Sequence, residues 1–165
     1  GWKLVKDAFG IGAEGLKPGP APHVVGGLTA TQKAETAAAV LRAMSMTKGH
    51  GRLILLVGHG AQVTNNPHES AYHCGACAGQ TGEVSARVLA SLLNDPETRA
   101  GLPAQGIDLP EDTRFVAGLH DTCTDEVTLF AEVPSHVRAF ASRGNGPMVK
   151  KQKQVQLVYL PRWSA

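Results

Sequence analysis

The feature that most constrains the fold of this chain is an unbroken apolar run at residues 53–57, followed directly by Gly58 and His59. A run of this length that ends at a glycine is typical of a strand buried on both faces, as in a parallel sheet. In open α/β sheets the ligand crevice lies outside the carboxyl ends of the strands. The run therefore predicts a strand whose terminal histidine is placed for chemistry rather than for packing.

A second apolar run, at residues 114–119, also ends in a histidine, His120. A polar segment follows it at residues 121–126. Since the carboxyl ends of parallel strands meet at one edge of a sheet, we expect His59 and His120 to face one shared crevice.

Helical and extended patterns alternate along the rest of the chain. A capping box, Thr29-x-x-Gln32, opens a predicted helix that continues to about residue 46. The buried stripe of this helix is predicted to be Ala34, Ala37, Ala38, Leu41 and Met44. Thr81 is the predicted cap of a second helix, and a third opens at Asp95 with a proline in its first turn. The buried stripe of the second helix is predicted to be Val84, Val88, Leu89 and Leu92. Shorter elements are predicted as a strand at 127–130, a helix at 134–141 and an edge strand at 154–160.

The long segment after the first strand contains histidine and cysteine, residue types that bind metals in other proteins. Loops longer than about 12 residues are usually functional or disordered, and this one contains the motif Cys74-x-x-Cys77. His59 and Cys74 can converge at one sheet edge, where they would offer a neutral imidazole and a thiolate, ligands that zinc prefers. We therefore predict His59 and Cys74 as metal ligands. The pair Cys74 and Cys77 is also compatible with thiol redox chemistry.

The alternation of elements predicts an α/β fold with a mostly parallel sheet flanked by helices. At 165 residues, of which 42% are hydrophobic, the chain is expected to form one core. We divide it into an extended lead-in at 1–27, an α/β zinc-site domain at 28–142, and a loop with a terminal edge strand at 143–165. Because the chain begins with Gly1 and not with methionine, we expect it to be part of a longer protein.

Composition argues against several classes of function. The formal net charge is only +2 and charged residues make up 18% of the chain, so we expect no nucleic-acid partner. The apolar runs are far shorter than the roughly 20 residues that a membrane-spanning helix needs. Three cysteines, an odd number, fit a reducing compartment better than a disulfide framework.

Several unusual motifs, in this order and spacing, resemble the C-terminal half of the DabA-type subunit of bacterial complexes that accumulate dissolved inorganic carbon. They are Val57-Gly58-His59-Gly60, Asn65-Asn66-Pro67-His68-Glu69-Ser70, Cys74-Gly75-Ala76-Cys77 and Leu119-His120-Asp121-Thr122. The similarity covers about residues 28–131 and is highly specific.

The resemblance implies a fold similar to the β-type carbonic anhydrases. In that family a zinc ion is held by a Cys-x-Asp pair from an earlier strand and by a later histidine and cysteine, which correspond to His59 and Cys74. The earlier pair has no equivalent in this sequence. Cys123-Thr124-Asp125 spells Cys-x-Asp but lies late in the chain, and Val127 stands where an arginine would be expected. The resemblance therefore implies a β-carbonic-anhydrase-like half-domain, and we expect this chain alone to be inactive.

For the complete protein, the resemblance implies a zinc lyase that hydrates CO2 to bicarbonate in an energy-coupled uptake complex. The implied partners are a membrane subunit similar to cation antiporters and the missing N-terminal half of the same protein. The implied location is cytoplasmic, peripheral on the inner face of the cell membrane. His120 and Asp125 are then predicted as catalytic groups that orient the ligands or pass protons.

Two other functions stay open on the sequence. One is a non-catalytic zinc-binding or assembly module that keeps only the half-site. The other is a thiol redox protein that uses Cys74 and Cys77. Metal analysis beside a thiol titration would distinguish zinc binding from redox chemistry.

Overall fold

Four strands form one mixed sheet in the computed structural model, which describes residues 27–63, 65–130 and 155–159. The strands are β1 (Leu53–Gly60), β2 (Arg114–Asp121), β3 (Glu126–Leu129) and β4 (Val155–Tyr159). Their order across the sheet is β3-β2-β1-β4. β1 is parallel to β2 and to β4, whereas β3 is antiparallel to β2. The predicted terminal strand therefore lies at an edge of the described sheet.

Helices accompany these strands, so the predicted α/β class is confirmed. The α-helices of the described residues are α1 (Ala30–Ala43), α2 (Glu69–Tyr72), α3 (Glu83–Asn94) and α4 (Pro96–Gly101). Two short 3-10 turns occupy Gly75–Cys77 and Pro103–Gln105. The segment predicted as an irregular loop thus contains α2 and the first 3-10 turn. Whether the sheet of the whole protein is mostly parallel, and whether its fold is like that of β-carbonic anhydrases, stay predictions.

β1 and β2 continue past the ends that the apolar pattern predicted. Their register ends with Gly60 opposite Asp121, so His59 and His120 lie within the strands and not after them. Backbone groups near the strand ends find partners there: the N–H of Gly82 donates to the carbonyl of His59 at 2.8 Å. The predicted ends were too early because backbone pairing, and not side-chain polarity, decides where a strand stops.

The hydrophobic core lies on one face of the sheet, under α1 and α3. Ile54 and Leu56 of β1 and Phe115 and Ala117 of β2 are buried there together. The predicted stripe of α1 is confirmed at Ala34, Ala37, Ala38 and Leu41, which are buried. Met44 is half-buried and caps the helix, which ends at Ala43 and not near residue 46. The capping box at the start of α1 is also present. Local patterns were sufficient for α1 because the cap and the stripe depend on neighbours three or four residues away.

The predicted stripe of α3 is wrong at Val84, whereas Leu89 and Leu92 are half-buried and pack against the core as predicted. Val84 is 60% exposed. The buried members of α3 are Ala86, Ala90 and Leu93. α3 starts so close to the sheet that a Cβ added to Gly58 would lie 2.6 Å from the carbonyl carbon of Gly82. Alanine side chains permit this close approach, and the larger apolar side chains lie beside it.

The predicted cap of α3 is wrong as well, whereas that of α4 is confirmed. The N-cap of α3 is Gly82, with no side-chain hydrogen bond. The methyl group of Thr81 instead packs over Gly60, since a Cβ added there would lie 3.0 Å from Thr81 Cγ2. At α4, the side chain of Asp95 accepts a hydrogen bond from the Thr98 N–H at 3.2 Å.

Some predicted elements lie outside the described residues. These are the helix at 134–141, all of the lead-in except residue 27, and the part of 143–165 that flanks β4. Among the described residues, no helix is both long enough and apolar enough to cross a membrane.

Candidate functional site

His59 and His120 are direct neighbours on adjacent strands. They are register partners in the parallel ladder of β1 and β2, and neighbouring strands lie about 4.8 Å apart. Side chains alternate between the two faces of a strand, and partners in register share a face. Both imidazole side chains therefore project from the face of the sheet opposite to the one that carries Ile54 and Leu56. The structure brings the two predicted histidines together.

Asp125 is held against His120 by the turn between β2 and β3. Its Oδ1 lies 2.7 Å from His120 Nε2. Asp125 has a positive φ of 61°, which aspartate tolerates better than most residues, and its N–H donates to the carbonyl of Asp121 at 2.8 Å. An ionised carboxylate only accepts hydrogen bonds, so Nε2 of His120 is the donor in this pair. The side chain of Asp125 is 96% exposed, and the pair therefore connects the sheet edge to solvent.

Asp121 is a buried carboxylate that the sequence predictions did not use. It is 4% exposed, and its Oδ1 accepts from the N–H of Gln62 at 3.3 Å and from the N–H of Cys123 at 2.8 Å. One oxygen thus joins the segment after β1 to the turn that carries Asp125. The bond to Cys123 is a local Asx-turn that an aspartate at a strand end could have predicted. No residue near Asp121 in the sequence indicates the bond to Gln62.

Thr122 adds a second connection between the same two segments. Its N–H and its hydroxyl group donate to the carbonyl of Gly60 at 2.8 and 3.1 Å. The hydroxyl also lies 3.5 Å from the carbonyl of Tyr72. The end of β1, the start of the β2–β3 turn and the end of α2 therefore meet at Thr122.

His73 connects the end of β1 to the residue before Cys74. Its Nδ1 accepts a hydrogen bond from the Ala61 N–H at 3.2 Å, and its Nε2 lies 3.3 Å from Oε1 of Glu69. These partners favour the neutral ring with the proton on Nε2, because an acceptor nitrogen must be unprotonated. Sequence reasoning placed His73 only in a long loop. Its pairing with Glu69, four residues earlier on α2, is the local signal that could have identified it.

Cys74 and Cys77 lie in a tight turn that returns to β1. The N–H of Cys74 donates to the Gln80 carbonyl at 3.0 Å, and Gly82, two residues further on, bonds to the backbone of His59. Cys74 is 7% exposed, whereas Cys77 is half-buried. The structure therefore anchors the turn of Cys74 to the strand of His59.

The thiol of Cys77 is not electrostatically activated. Its burial raises its pKa, and the adjacent Cys74 thiol raises it further, whereas a hydrogen bond with Ser85 acts in the opposite direction. The Sγ of Cys77 lies 3.7 Å from the Ser85 hydroxyl oxygen. Redox enzymes of the thioredoxin type lower the pKa of a thiol in such a motif. A raised pKa disfavours a thiol redox enzyme, which turns over through a thiol of lowered pKa.

The described residues do not make a complete metal site by themselves. Among residues 27–63, 65–130 and 155–159, no group of three or more His, Cys, Asp or Glu side chains is arranged to hold a metal ion. A catalytic zinc site uses three protein ligands and a water molecule. His59 and Cys74 are of the correct chemical type but supply only two ligands.

Comparison with known proteins gives consistent matches. A family model described as "Probable inorganic carbon transporter subunit DabA" matches residues 5–154. A protein of that description from Allorhizobium ampelinum is 54% identical over 130 residues, which are 79% of this chain and 16% of the relative. The corresponding protein of Xanthomonas axonopodis pv. citri is 53% identical over 134 residues, or 81% of this chain and 16% of the relative.

A third relative of the same description, from Xanthomonas oryzae pv. oryzae, is 50% identical over 142 residues, which are 84% of this chain and 18% of its own length. The chain thus spans less than one fifth of the length of these relatives. No solved structure matches it.

Proposed function

We propose, from the premise that this chain belongs to the DabA family of probable inorganic carbon transporter subunits, that it is part of a subunit for the uptake of inorganic carbon. The observation that carries the proposal is the match of the family model over residues 5–154. The part of the chain that contains β1, β2 and the turns around them lies within that match.

We further propose that the complete subunit binds zinc and hydrates CO2 to bicarbonate. His59 and Cys74 would be two of the ligands, because the turn of Cys74 is joined through Gly82 to the strand of His59 and the two side chains are of the types that zinc prefers. The remaining ligands would come from another part of the same protein. A zinc ion bound in a carbonic-anhydrase-like site supplies a water molecule acidic enough to react near neutral pH.

The role proposed for His120 and Asp125 is to remove a proton. Hydration of CO2 to bicarbonate releases one proton, which must reach solvent for the reaction to continue. His120 lies beside His59 in the sheet, and its Nε2 bonds to the exposed carboxylate of Asp125. In this proposal the imidazole takes up the proton and the carboxylate passes it to water.

Assembly and location follow as further proposals. The complete subunit would work with an antiporter-like membrane protein and would lie at the cytoplasmic face of the cell membrane. The half-domain formed by this chain would complete a β-carbonic-anhydrase-like fold with the N-terminal part of the same polypeptide.

The proposal predicts that inorganic carbon uptake requires both His59 and Cys74. In cells that depend on the full-length protein, His59→Ala and Cys74→Ser should abolish bicarbonate accumulation, and the purified variants should contain much less zinc. Cys123→Ser is the matched control, because Cys123 is exposed in the β2–β3 turn. Normal uptake by both His59→Ala and Cys74→Ser would overturn the proposal.

A non-catalytic assembly module is the second candidate function. The observation that favours it is the incomplete ligand set among the described residues. It predicts that the full-length protein binds zinc but does not hydrate CO2 under any energised condition. Stopped-flow hydration assays on membranes that contain the complex would separate the two candidates.

A further inference from the structure

The second cysteine of the Cys74-x-x-Cys77 motif has no part in the proposed function. Cys77 nevertheless lies directly beside Cys74. The N–H of Cys77 donates to the carbonyl of Cys74 at 3.0 Å and closes the 3-10 turn Gly75–Cys77.

We propose that Cys74 and Cys77 form a reversible disulfide, a modification site that takes a low-molecular-weight disulfide as its oxidant and removes Cys74 from metal binding. The effect on metal binding rests on the proposed function, in which Cys74 is a zinc ligand. The formation of the disulfide itself does not.

The backbone already satisfies the main geometric requirement for this bond. A turn closed by a backbone hydrogen bond between residues i and i+3 brings the two Cα atoms within about 7 Å of each other. Disulfides join residues whose Cα atoms are roughly 4.4–6.8 Å apart. The turn is held from both sides, since the Cys74 carbonyl also accepts from the Gly79 N–H at 3.1 Å. Rotation of the two side chains is therefore the main movement needed.

Unequal exposure of the two thiols sets the order of the reaction. Cys77 is half-buried and meets the oxidant first, whereas Cys74 is buried. The Cys77 thiolate attacks a disulfide R–S–S–R, forming a mixed disulfide and releasing R–SH. The Cys74 sulfur then attacks the Cys77 sulfur and releases the second R–SH. The two electrons and two protons lost by the pair end in two molecules of R–SH.

Oxidation and zinc binding exclude each other at Cys74. Zinc is bound by the thiolate, and a disulfide sulfur carries no such charge. A disulfide would therefore lower the zinc affinity, and bound zinc would slow the oxidation. An oxidising interior would switch off the subunit until thiols restore it.

Peptide mapping tests the disulfide. The full-length protein that contains this chain is reduced, stripped of metal, equilibrated in glutathione buffers of graded redox ratio and alkylated. Trypsin releases Cys74 and Cys77 together in the peptide 53–87, and Cys123 in the peptide 115–138. We expect the first peptide to lose both labels as the oxidised fraction rises, while the second keeps its label. Full labelling of 53–87 in all buffers, or a disulfide that joins the two peptides, would overturn the proposal.

Zinc content separates this proposal from the proposed function. In oxidised glutathione, the wild-type protein should lose zinc to the level of Cys74→Ser, whereas Cys77→Ser should retain it. Cys123→Ser should behave like the wild type. If the disulfide forms but the reduced protein binds no zinc, the proposed ligand role fails and the modification site stands. If the reduced protein binds zinc and the oxidised wild type keeps it, the disulfide proposal alone fails.

Discussion

At the scale of single residues, two carboxylates near the end of β2 have different tasks. Asp121 is buried and accepts two backbone N–H groups, whereas Asp125 is exposed and bonds to a histidine. A buried carboxylate with backbone donors holds a structure in place. An exposed carboxylate on an imidazole is suited to proton exchange.

Replacing Asp125 should reduce activity with little effect on stability. Asp125→Asn and Asp125→Gly both permit the positive φ of this position and remove the charge. We expect CO2 hydration by the full-length complex to fall about 10–100-fold. Exposed ion pairs contribute little to stability, so thermal unfolding should not change. Thr124→Ala, one residue earlier in the exposed turn, is the control, and equal activity of Asp125→Asn and wild type would exclude a role in proton transfer.

Replacing Asp121 should instead loosen two segments at once. Asp121→Ala leaves the N–H groups of Gln62 and Cys123 without their acceptor, at a cost of about 1–3 kcal/mol. We expect faster amide hydrogen exchange in residues 61–63 and 122–125, measured by mass spectrometry of the full-length protein. Asp121→Asn keeps an acceptor oxygen and should exchange almost like the wild type. Asp108→Ala, which removes an exposed carboxylate, is the control. If the amides of residues 61–63 and 122–125 exchanged equally slowly in Asp121→Ala and in Asp108→Ala, a bridging role for Asp121 would be contradicted.

At the scale of secondary structure, the start of α4 should respond to acid. Burial alone would raise the pKa of Asp95, but hydrogen bonds from Thr98 and the charge of Lys33 outweigh it and lower the pKa below its ordinary 3.8. A lowered pKa in the folded state means that Asp95 stabilises the protein above pH 3.8. This contribution is lost as the pH falls through the lower, folded-state value.

The Asp95→Ala variant should therefore be less stable than the wild type at neutral pH, by about 1 kcal/mol for a lost N-cap. The difference between the two proteins should narrow as the pH falls well below 3.8, because the protonated carboxyl group no longer attracts Lys33. Urea unfolding at a series of pH values measures the difference. Asp95→Asn keeps the cap without a titrating group, so its stability relative to Asp95→Ala should be the same at all pH values. A difference between wild type and Asp95→Ala that grows in acid would contradict a lowered pKa for Asp95.

Sequence patterns predicted the elements whose signals are local. The caps at Thr29 and Asp95 and the stripe of α1 depend on residues close in sequence, and the structure confirms them. The strand ends and the stripe of α3 depend on distant partners. Val84 has the hydrophobicity of a core residue, but the close approach of Gly58 and Gly82 selects the alanine face of α3 instead.

The same distinction between local and distant signals applies to the candidate site. His59 and His120 could be predicted as neighbours because both follow apolar runs, and parallel strands place such residues at one edge. The hydrogen bonds from the Gln62 N–H to Asp121 and from the Ala61 N–H to His73 join separate segments. No pattern within a single segment indicates them.

At the scale of the whole molecule, the two zinc ligands that we propose on this chain should not be sufficient for catalysis. With His59 and Cys74 alone, we expect weak zinc binding and no CO2 hydration above background by residues 1–165, measured by stopped flow with a pH indicator. The full-length complex is the positive control. Turnover by residues 1–165 that is lost in His59→Ala would show that the chain is sufficient.

The short turn between β2 and β3 also affects the order in which the strands pair during folding. Asp121 pairs with Glu126 across four residues, and hairpins of this kind close in about 1–10 μs. The pairing of Leu53 with Val155 must close a loop of most of the chain, which is slower. During synthesis, the contact between His120 and Asp125 can form before β4 has left the ribosome. We expect the contact between His120 and Asp125, which we propose as a route for protons, to exist in the nascent chain before the sheet around His59 is complete.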